Sequence, residues 1–159
     1  MIVNEELIQE FYTCFQRRDW QGMQACYTPD VVFYDPVFEN LEGEEVKGMW
    51  EMLLRSSQDL RVEFSDITAD EDGYGSCHWV ATYAFSRTGR RVVNKVTANF
   101  RFQDGKIAEH QDNFDLWKWS RQALGIPGIL FGWTPGLHKK IRAMARKNLD
   151  KFLTRSGEK

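Results

Sequence analysis

Several features that would assign a protein to a specialised class are missing from this sequence of 159 residues. It has only three cysteines, at unrelated spacings and without a CxxC pair, which argues against a zinc site or a disulfide framework. No stretch reaches the roughly 18 apolar residues of a membrane-spanning helix. The first residues, MIVNEELIQE, lack the apolar core of a signal peptide. We therefore expect a cytoplasmic protein with free thiols.

Signals for a metal, a cofactor or a nucleic acid are also missing. The three histidines, at positions 78, 110 and 138, do not have the spacing of metal ligands. The glycines of GYG (73–75) are typical of a turn and not of a phosphate-binding loop. A net charge of -2 gives no reason to expect nucleic acid as a partner. We accordingly expect no cofactor and no bound metal.

Large apolar side chains, by contrast, are plentiful. The chain is 42% hydrophobic and 14% aromatic, with 6 Trp and 11 Phe, which is enough for the core of one domain spanning residues 1–159.

The first part of the sequence predicts mainly helices. Its elements are a helix at 4–18 capped by Asn4, a short helix containing Trp20, Met23 and Tyr27, a strand at 31–35, a loop at 36–43 and a helix at 44–56.

The second half of the chain predicts a sheet. Four strands, at 61–68, 75–87, 91–103 and 106–114, are separated by the turn sequences DEDGYG, SRTGR and QDGK. Apolar and polar residues alternate along the third of them, so one face of the sheet is covered and the other is more exposed to solvent. Helices must cover that face, which gives an α+β fold, and a pocket between helices and curved sheet is a natural consequence.

Four motifs in this order resemble a known family. They are VVFYDP (31–36), the helix motif G-x-x-V-x-G-M-W (43–50), the hairpin around DGKI and the strand ending in EH (102–110). Together with the N-terminal helix pair they resemble the NTF2-like superfamily, and most of all its SnoaL-like, ketosteroid-isomerase-like branch. The resemblance covers about residues 4–117 and implies a cone-shaped barrel that dimerises through its sheet. Residues 116–159 then form a C-terminal helical extension.

The segment EHQDNFD (109–115) contains the strongest candidates for a chemical role. On a strand its side chains alternate, and only the set His110, Asp112 and Phe114 includes a bulky apolar residue. We therefore predict that this set faces the pocket, while Asp115 caps the following helix. Burial among aromatic residues disfavours the charged form of a carboxylate, which suits Asp112 to general acid/base chemistry with His110 as its partner. The alternative is a hydrogen-bonded pair that fills a polar hole in the core.

The resemblance adds detail to these assignments. The last strand of the epoxide hydrolases in this superfamily reads like W-R-D-Y-F-D, and Asp112 of HQDNFD matches its catalytic carboxylate. Those enzymes also need an Arg-x-Asp pair on an earlier strand, which CHWVATYAF does not offer. In ketosteroid-isomerase-like relatives a carboxylate near Asp35 is the base, and Tyr12 is the tyrosine that location favours for an oxyanion partner. Asp35 before Pro36 is also a common strand-ending turn.

Five residues are predicted to form the apolar walls of the pocket: Phe33, Trp50, Trp79, Tyr83 and Phe114. His78, on the opposite strand face from Trp79, is expected to face solvent or a dimer partner. The resulting hypothesis is a cofactor-free isomerase, cyclase or hydrolase that acts on a hydrophobic small molecule. Two alternatives are a non-catalytic protein that binds an apolar ligand and an interaction module that acts through the last helix.

The C-terminal region combines apolar and basic residues. The segment 126–136, IPGILFGWTPG, contains glycines and prolines that predict irregular structure, and we expect its large side chains to pack on the domain. A lid, a dimer contact and a membrane-touching loop are the alternatives. A helix at about 138–154 has an apolar stripe, and residues 139–159 hold eight Lys or Arg against two acidic residues. We expect the stripe to pack on the domain, with contact to an anionic membrane surface as the alternative.

Overall fold

The structure of the protein, a computed structural model, describes residues 3–157 and confirms the α+β class. Twelve elements follow one another in the described chain. They are α1 (Asn4–Gln16), α2 (Trp20–Ala25), β1 (Tyr27–Asp35), β2 (Glu39–Glu42), α3 (Glu44–Ser56), β3 (Arg61–Ala69), β4 (Tyr74–Ala84), β5 (Arg91–Gln103), β6 (Lys106–Asn113), α4 (Leu116–Leu124), α5 (Ile126–Phe131) and α6 (Pro135–Gly157).

The strands form one six-stranded curved, open sheet in the order β2-β1-β6-β5-β4-β3. The antiparallel meander from β3 to β6 is confirmed. Strand β1 lies parallel to β6 and brings Phe33 opposite His110. Alternation along β5 agrees with the prediction, since Val96, Ala98, Phe100 and Phe102 are buried and Lys95, Thr97 and Asn99 are exposed.

Helices α1 and α3 cover the buried face of the sheet. Spacings of three and four residues place their apolar side chains on one side of each helix. In α1 the buried residues are Leu7, Ile8, Phe11, Tyr12, Cys14 and Phe15, and in α3 they are Val46, Met49, Trp50 and Leu54. All three cysteines are free and buried, as expected. The core therefore lies between these two helices and the strands β1, β6, β5 and β4.

Three predictions about the first part of the chain are wrong. Val3, which makes no side-chain cap hydrogen bond, is the N-cap of α1, so Asn4 lies inside the helix. Tyr27 belongs to β1 and not to the second helix. The predicted loop contains β2, which pairs with β1 from Val32 to Asp35.

Pro29 was the misleading signal, because it predicted an end to the helix shortly before it. It lies instead within β1, between Tyr27 and Val32, where the pairing of β1 with β6 shifts register. A missing N–H is tolerated where the ladder is interrupted, so proline does not exclude a strand there. The two buried residues before it, Tyr27 and Thr28, are thereby brought onto the sheet.

The helices after the sheet agree with the sequence in part. Asp115 caps α4 by accepting a hydrogen bond from the backbone N–H of Lys118 at 3.1 Å, and Gly125 ends it. The segment predicted to be irregular contains α5, because Pro127 lies in its first turn, where a backbone N–H has no helical partner. Within residues 3–157, none of the helices combines the length and the apolar character that crossing a bilayer requires.

Helix α6 rests on α3, as expected for its apolar stripe. Leu149 is fully buried, and a Cβ atom at Gly48 of α3 would overlap the side chain of Leu153. Arg146 bonds to Glu45, and Nε of Arg142 donates to the carbonyl oxygen of Pro36 at 2.9 Å. These contacts fix α6 against the domain and leave its lysines facing water.

Candidate functional site

A chain of buried hydrogen bonds connects three strands and one helix at the centre of the core. His110 and Asp112 lie on β6, and Nε2 of His110 is 2.8 Å from Oδ1 of Asp112. Nδ1 of His110 is 2.8 Å from the hydroxyl of Tyr27 on β1, which accepts the indole N–H of Trp50 on α3 at 2.8 Å. The indole N–H of Trp79 on β4 donates to the same Asp112 oxygen at 3.2 Å.

The direction of these hydrogen bonds follows from their donors. The indole N–H of Trp50 can only donate, so the oxygen of Tyr27 accepts this hydrogen bond. The hydroxyl proton of Tyr27 must then point to a different acceptor. Among the described residues, Nδ1 of His110 is the acceptor in reach of that proton. His110 then carries its proton on Nε2 and donates it to Asp112. We assign a neutral imidazole and a carboxylate to the pair, since each proton then has an acceptor.

The predicted facing of the last strand is confirmed. His110 and Asp112 are 1% and 2% exposed, while Glu109, Gln111 and Asn113 are exposed. The imidazole ring is enclosed by aromatic rings, with centroids at 4.6 Å for Phe100 and 5.1 Å for Phe33. The prediction that His110 and Asp112 share the inner face is therefore confirmed.

In the register of the sheet, Asp112 lies beside a smaller residue of β5 than His110 does. Its partner in the register of β5 is Ala98, which in turn is paired with Cys77 of β4. Both hydrogen bonds that the described chain donates to Asp112 end on Oδ1. The second carboxylate oxygen is consequently left for another donor or for a substrate proton.

Asp35 at the end of β1 is a second carboxylate of the inner region and is half-buried. Its Oδ1 accepts the backbone N–H groups of Val37 at 2.8 Å and Phe38 at 2.6 Å, so it forms the turn that its place before Pro36 predicts. Burial, opposed by these bonds and reinforced by the negative charge of Asp112, raises the pKa of Asp35 to about 7. Asp35 is thus both a turn residue and a group that titrates near neutrality.

Tyr12 of α1 is completely buried, and its hydroxyl has no hydrogen-bond partner among the described residues. Burial, together with the nearby charge of Asp112, raises the pKa of Tyr12 well above its usual value, which keeps the phenol protonated. A protonated hydroxyl without a partner is an available donor close to the carboxylate. This is the tyrosine that location on the first helix favoured.

The five predicted wall residues all lie on the inner side of the sheet and α3. Phe33, Trp50 and Trp79 are buried. Trp50 lies edge to face against Phe33 and Trp79, and Phe15 contacts both tryptophans. Tyr83 and Phe114 are half-buried and contact both apolar clusters of the core. The aromatic rings largely occupy the space that the sequence suggested for a ligand. A shallow depression of about 270 Å³ lies on the other side of the sheet and involves residues such as Tyr34, Asn99 and Gln111.

Other titratable groups lie away from this centre. His78 faces outward, as expected, and its Nδ1 is 2.9 Å from Oδ2 of the exposed Asp66. Within residues 3–157, no three His, Cys, Asp or Glu side chains are close enough together to hold a metal ion. The outer face of the sheet remains the predicted dimer interface.

Sequence reasoning missed Tyr27 and the hydrogen-bonding role of Trp79. Tyr27 was assigned to a helix because of Pro29, although it has the same odd-numbered parity as Phe33 and Asp35. The two-residue period gave no usable signal for Tyr27, because the odd-numbered Pro29 is exposed and the pairing with β6 shifts register between Tyr27 and Val32. The bond from Trp79 to Asp112 crosses from β4 to β6, and no local pattern indicates it.

Comparisons with known proteins agree with this architecture. The sequence model of SnoaL-like domains matches residues 8–110, which is more than half of the chain. No curated protein matches the chain. A candidate polyketide cyclase from Pseudomonas putida KT2440 is 21% identical, with a TM-score of 0.66 over 77% of this chain and 99% of the other.

Two further solved structures show the same fold. IdmH, a candidate polyketide cyclase from Streptomyces antibioticus, is 22% identical, with a TM-score of 0.65 over 78% of this chain and all of the other. A protein with a ketosteroid isomerase-like fold from Catenulispora acidiphila DSM 44928, in complex with trimethylamine, is 15% identical, with a TM-score of 0.67 over 82% and 98%. The chain belongs to the SnoaL-like domain family and has the NTF2-like fold of these proteins.

Proposed function

We propose that the protein is a cofactor-independent general acid/base enzyme that acts on a hydrophobic small molecule, as an isomerase, cyclase or hydrolase. The observation that carries this proposal is the His110–Asp112 pair. A carboxylate and an imidazole are held 2.8 Å apart in an aromatic interior, and the remaining hydrogen bonds of the pair come from Trp79 and Tyr27. Such fixed polar groups in an apolar surrounding are the usual form of a proton-transfer site.

Asp112 is the proposed proton acceptor. Its Oδ1 is held by His110 and Trp79, so Oδ2 takes the proton of a substrate C–H or O–H group and returns it later in the reaction. His110 orients the carboxylate and stabilises its charge through the Nε2–H bond. Tyr27 keeps the proton of His110 on that nitrogen because its own hydroxyl donates to Nδ1.

Asp35 is proposed as the complementary acid. A carboxyl group with a pKa of about 7 is partly protonated at neutral pH and can donate a proton while Asp112 accepts one. The charge of Asp112 contributes to that raised pKa, so the two groups share one electrostatic environment. The unpartnered hydroxyl of Tyr12 supplies a neutral donor for an oxygen atom on which charge develops.

A ligand has to reach this centre from the side where the aromatic cover is thinnest. Tyr83 and Phe114 are half-buried, unlike Phe33, Trp50 and Trp79, and the second apolar cluster around Trp119 of α4 adjoins them. We infer that a substrate enters between Asp35 and α4 and displaces these half-buried rings. The tight aromatic interior favours a flat, apolar molecule with one or two oxygen atoms.

The alternative is a binding protein without catalysis. The hydrogen bond between His110 and Asp112 favours it, because two groups that satisfy each other leave a ligand to be held by apolar contact alone. Catalytic turnover of a bound ligand distinguishes the enzyme from the binding protein. An interaction module that acts through α6 is less favoured, because its apolar stripe already rests on α3.

The test is a screen of flat apolar ketones and polyphenols by NMR in D₂O, with substrate C–H exchange as the readout. Wild type is compared with Asp112→Asn, and Asp66→Asn serves as the matched control, since Asp66 also pairs with a histidine but on the exposed outer side of the sheet. Exchange that requires Asp112 and not Asp66 supports the enzyme. Ligands that bind equally to all three proteins without exchange support the carrier.

A further inference from the structure

A cluster of exposed apolar side chains lies at the junction of α4, α5 and α6, outside the region that matches the family. We propose that this cluster, which we name the apolar ridge, docks the protein on the surface of an anionic lipid bilayer. The ridge consists of large side chains that are between 40% and 72% exposed: Trp117, Ile126, Ile129, Leu130, Phe131 and Trp133. The expectation that the large residues of 126–136 are covered by the domain is therefore wrong.

The ridge is exposed because α5 turns its smallest residues toward the protein. A Cβ atom at Gly128 would overlap the carbonyl oxygen of Ser120 on α4, and one at Gly132 would lie 2.8 Å from Cδ1 of Trp117. Surface helices of globular proteins do the reverse and bury their large apolar residues. The glycines let α5 approach α4 closely, so Ile129, Leu130 and Phe131 must face away from the domain.

Hydrogen bonds hold the ridge in this conformation. The indole N–H of Trp133 donates to the carbonyl oxygen of Leu130 at 3.1 Å, and Nε2 of His138 donates to that of Gly132 at 2.6 Å. The hydroxyl of Thr134 donates to the carbonyl oxygen of Phe131 at 2.5 Å. The start of α6 is thus tied to the end of α5. A surface ordered before binding loses little conformational entropy when it docks.

The segment that contains the ridge carries basic residues only. From Leu116 to Leu149 the sequence has no Asp or Glu and seven Lys or Arg. Arg142 and Arg146 form ion pairs with Glu39, Glu45 and Asp150, and the other five are Lys118, Arg121, Lys139, Lys140 and Lys147. Lys118, Lys139 and Lys140 are exposed, and the guanidinium of Arg121 lies 4.7 Å from the ring centroid of Trp117. The nearest acidic residue before this stretch, Asp115, is occupied as the cap of α4. We call these basic residues the rim of the ridge, and anionic lipid headgroups are opposite to it in charge.

Charge and composition favour a bilayer over a second copy of the chain. A two-fold contact between two ridges would bring like-charged rims together, which is unfavourable. Tryptophan with aliphatic and basic residues is the composition of segments that lie in the membrane interface. The ridge side chains are exposed, whereas the side chains of the His110–Asp112 centre are buried. This inference does not depend on the proposed chemistry.

The test uses the full chain with vesicles of phosphatidylcholine alone and of phosphatidylcholine mixed with phosphatidylglycerol. We expect cosedimentation and a blue shift of tryptophan emission with the mixed vesicles only, both weakened by added salt. Leu130→Ser with Phe131→Ser should reduce partitioning about a hundredfold, since each buried side chain contributes roughly tenfold. Val32→Ser with Val93→Ser is the matched control, because these are also exposed apolar residues but lie in the sheet.

A second variant tests the charges without touching the ridge. Lys140→Gln should weaken partitioning about fivefold, while Lys95→Gln, an exposed lysine of β5, should leave it unchanged. Equal binding to both vesicle types, absence of binding, or wild-type binding by the double serine variant would overturn the proposal. So would a wild-type dimer in sedimentation that dissociates on Leu130→Ser, because the ridge would then be an interface between two copies.

Discussion

Nε2 of His110 lies 2.8 Å from Oδ1 of Asp112, and the two side chains are 0% and 3% exposed. Asp66 and His78 form a pair with nearly the same separation, 2.9 Å, in which both side chains are more than half exposed. The chemistry of the two pairs is the same, while their solvation is opposite. In water such a pair contributes little, whereas in the interior each unmatched hydrogen bond or charge is costly. This contrast within one chain makes the functional assignment testable.

Asp112→Asn is expected to reduce any proton-transfer activity by about a hundredfold to ten-thousandfold, because an amide cannot accept the proton. Asp66→Asn should leave the activity unchanged. Initial rates with a substrate found in the exchange screen provide the measurement. Equal rates for wild type and Asp112→Asn would remove Asp112 from the mechanism.

Tyr27→Phe is expected to lower the free energy of unfolding by about 1–3 kcal/mol. It deprives both the indole N–H of Trp50 and Nδ1 of His110 of their buried partner. Tyr83→Phe is the control, since the hydroxyl of Tyr83 accepts only the indole N–H of Trp119 at a half-buried site, and it should cost less than about 1 kcal/mol. Urea unfolding of the three proteins gives the comparison, and equal losses would contradict the network.

Asp35 should make stability depend on pH. Its pKa is raised from 3.8 to about 7 in the folded protein, so the folded state holds a proton that the unfolded state has released. Stability is therefore complete below about pH 4, declines as pH rises to about 7 and is level above that, with a loss of up to about 4 kcal/mol.

Asp35→Asn removes this dependence while it keeps an oxygen for the turn formed with Val37 and Phe38. Urea unfolding of wild type and of this variant between about pH 5 and pH 8 measures the slopes. Asp30→Asn, at an exposed position of the same strand, should retain the wild-type slope. Parallel slopes for wild type and Asp35→Asn would show that another group is responsible.

Gly128→Ala is expected to destabilise the protein by about 1–3 kcal/mol, because the methyl group would overlap the backbone of Ser120 and push α5 from α4. Gly136→Ala is the matched control, since nothing lies within 4 Å of the added atom there. It should leave stability unchanged or raise it by up to about 1 kcal/mol. Thermal unfolding of both variants distinguishes a required close approach from a general effect of losing glycine.

Local pattern was sufficient for most of the fold. The apolar positions of α3, the alternation along β5 and the turn sequences between strands depend on neighbouring residues, so they can be read from the chain. The inward facing of His110 and Asp112 follows from the same two-residue period. The motifs shared with SnoaL-like domains indicated the arrangement of the sheet beyond what periodicity shows.

The amino-acid pattern is therefore sufficient for the longer helices and strands, their order and the sides that they bury, but it did not indicate β2 or α5. The three-dimensional structure was needed to show that Tyr27 belongs to β1 despite Pro29, and that Trp79 reaches across to Asp112. It also decided that α5 is a helix whose large side chains face solvent, because Gly128 fits against Ser120. These features depend on contacts between segments distant in sequence, and side-chain period cannot specify which segments meet.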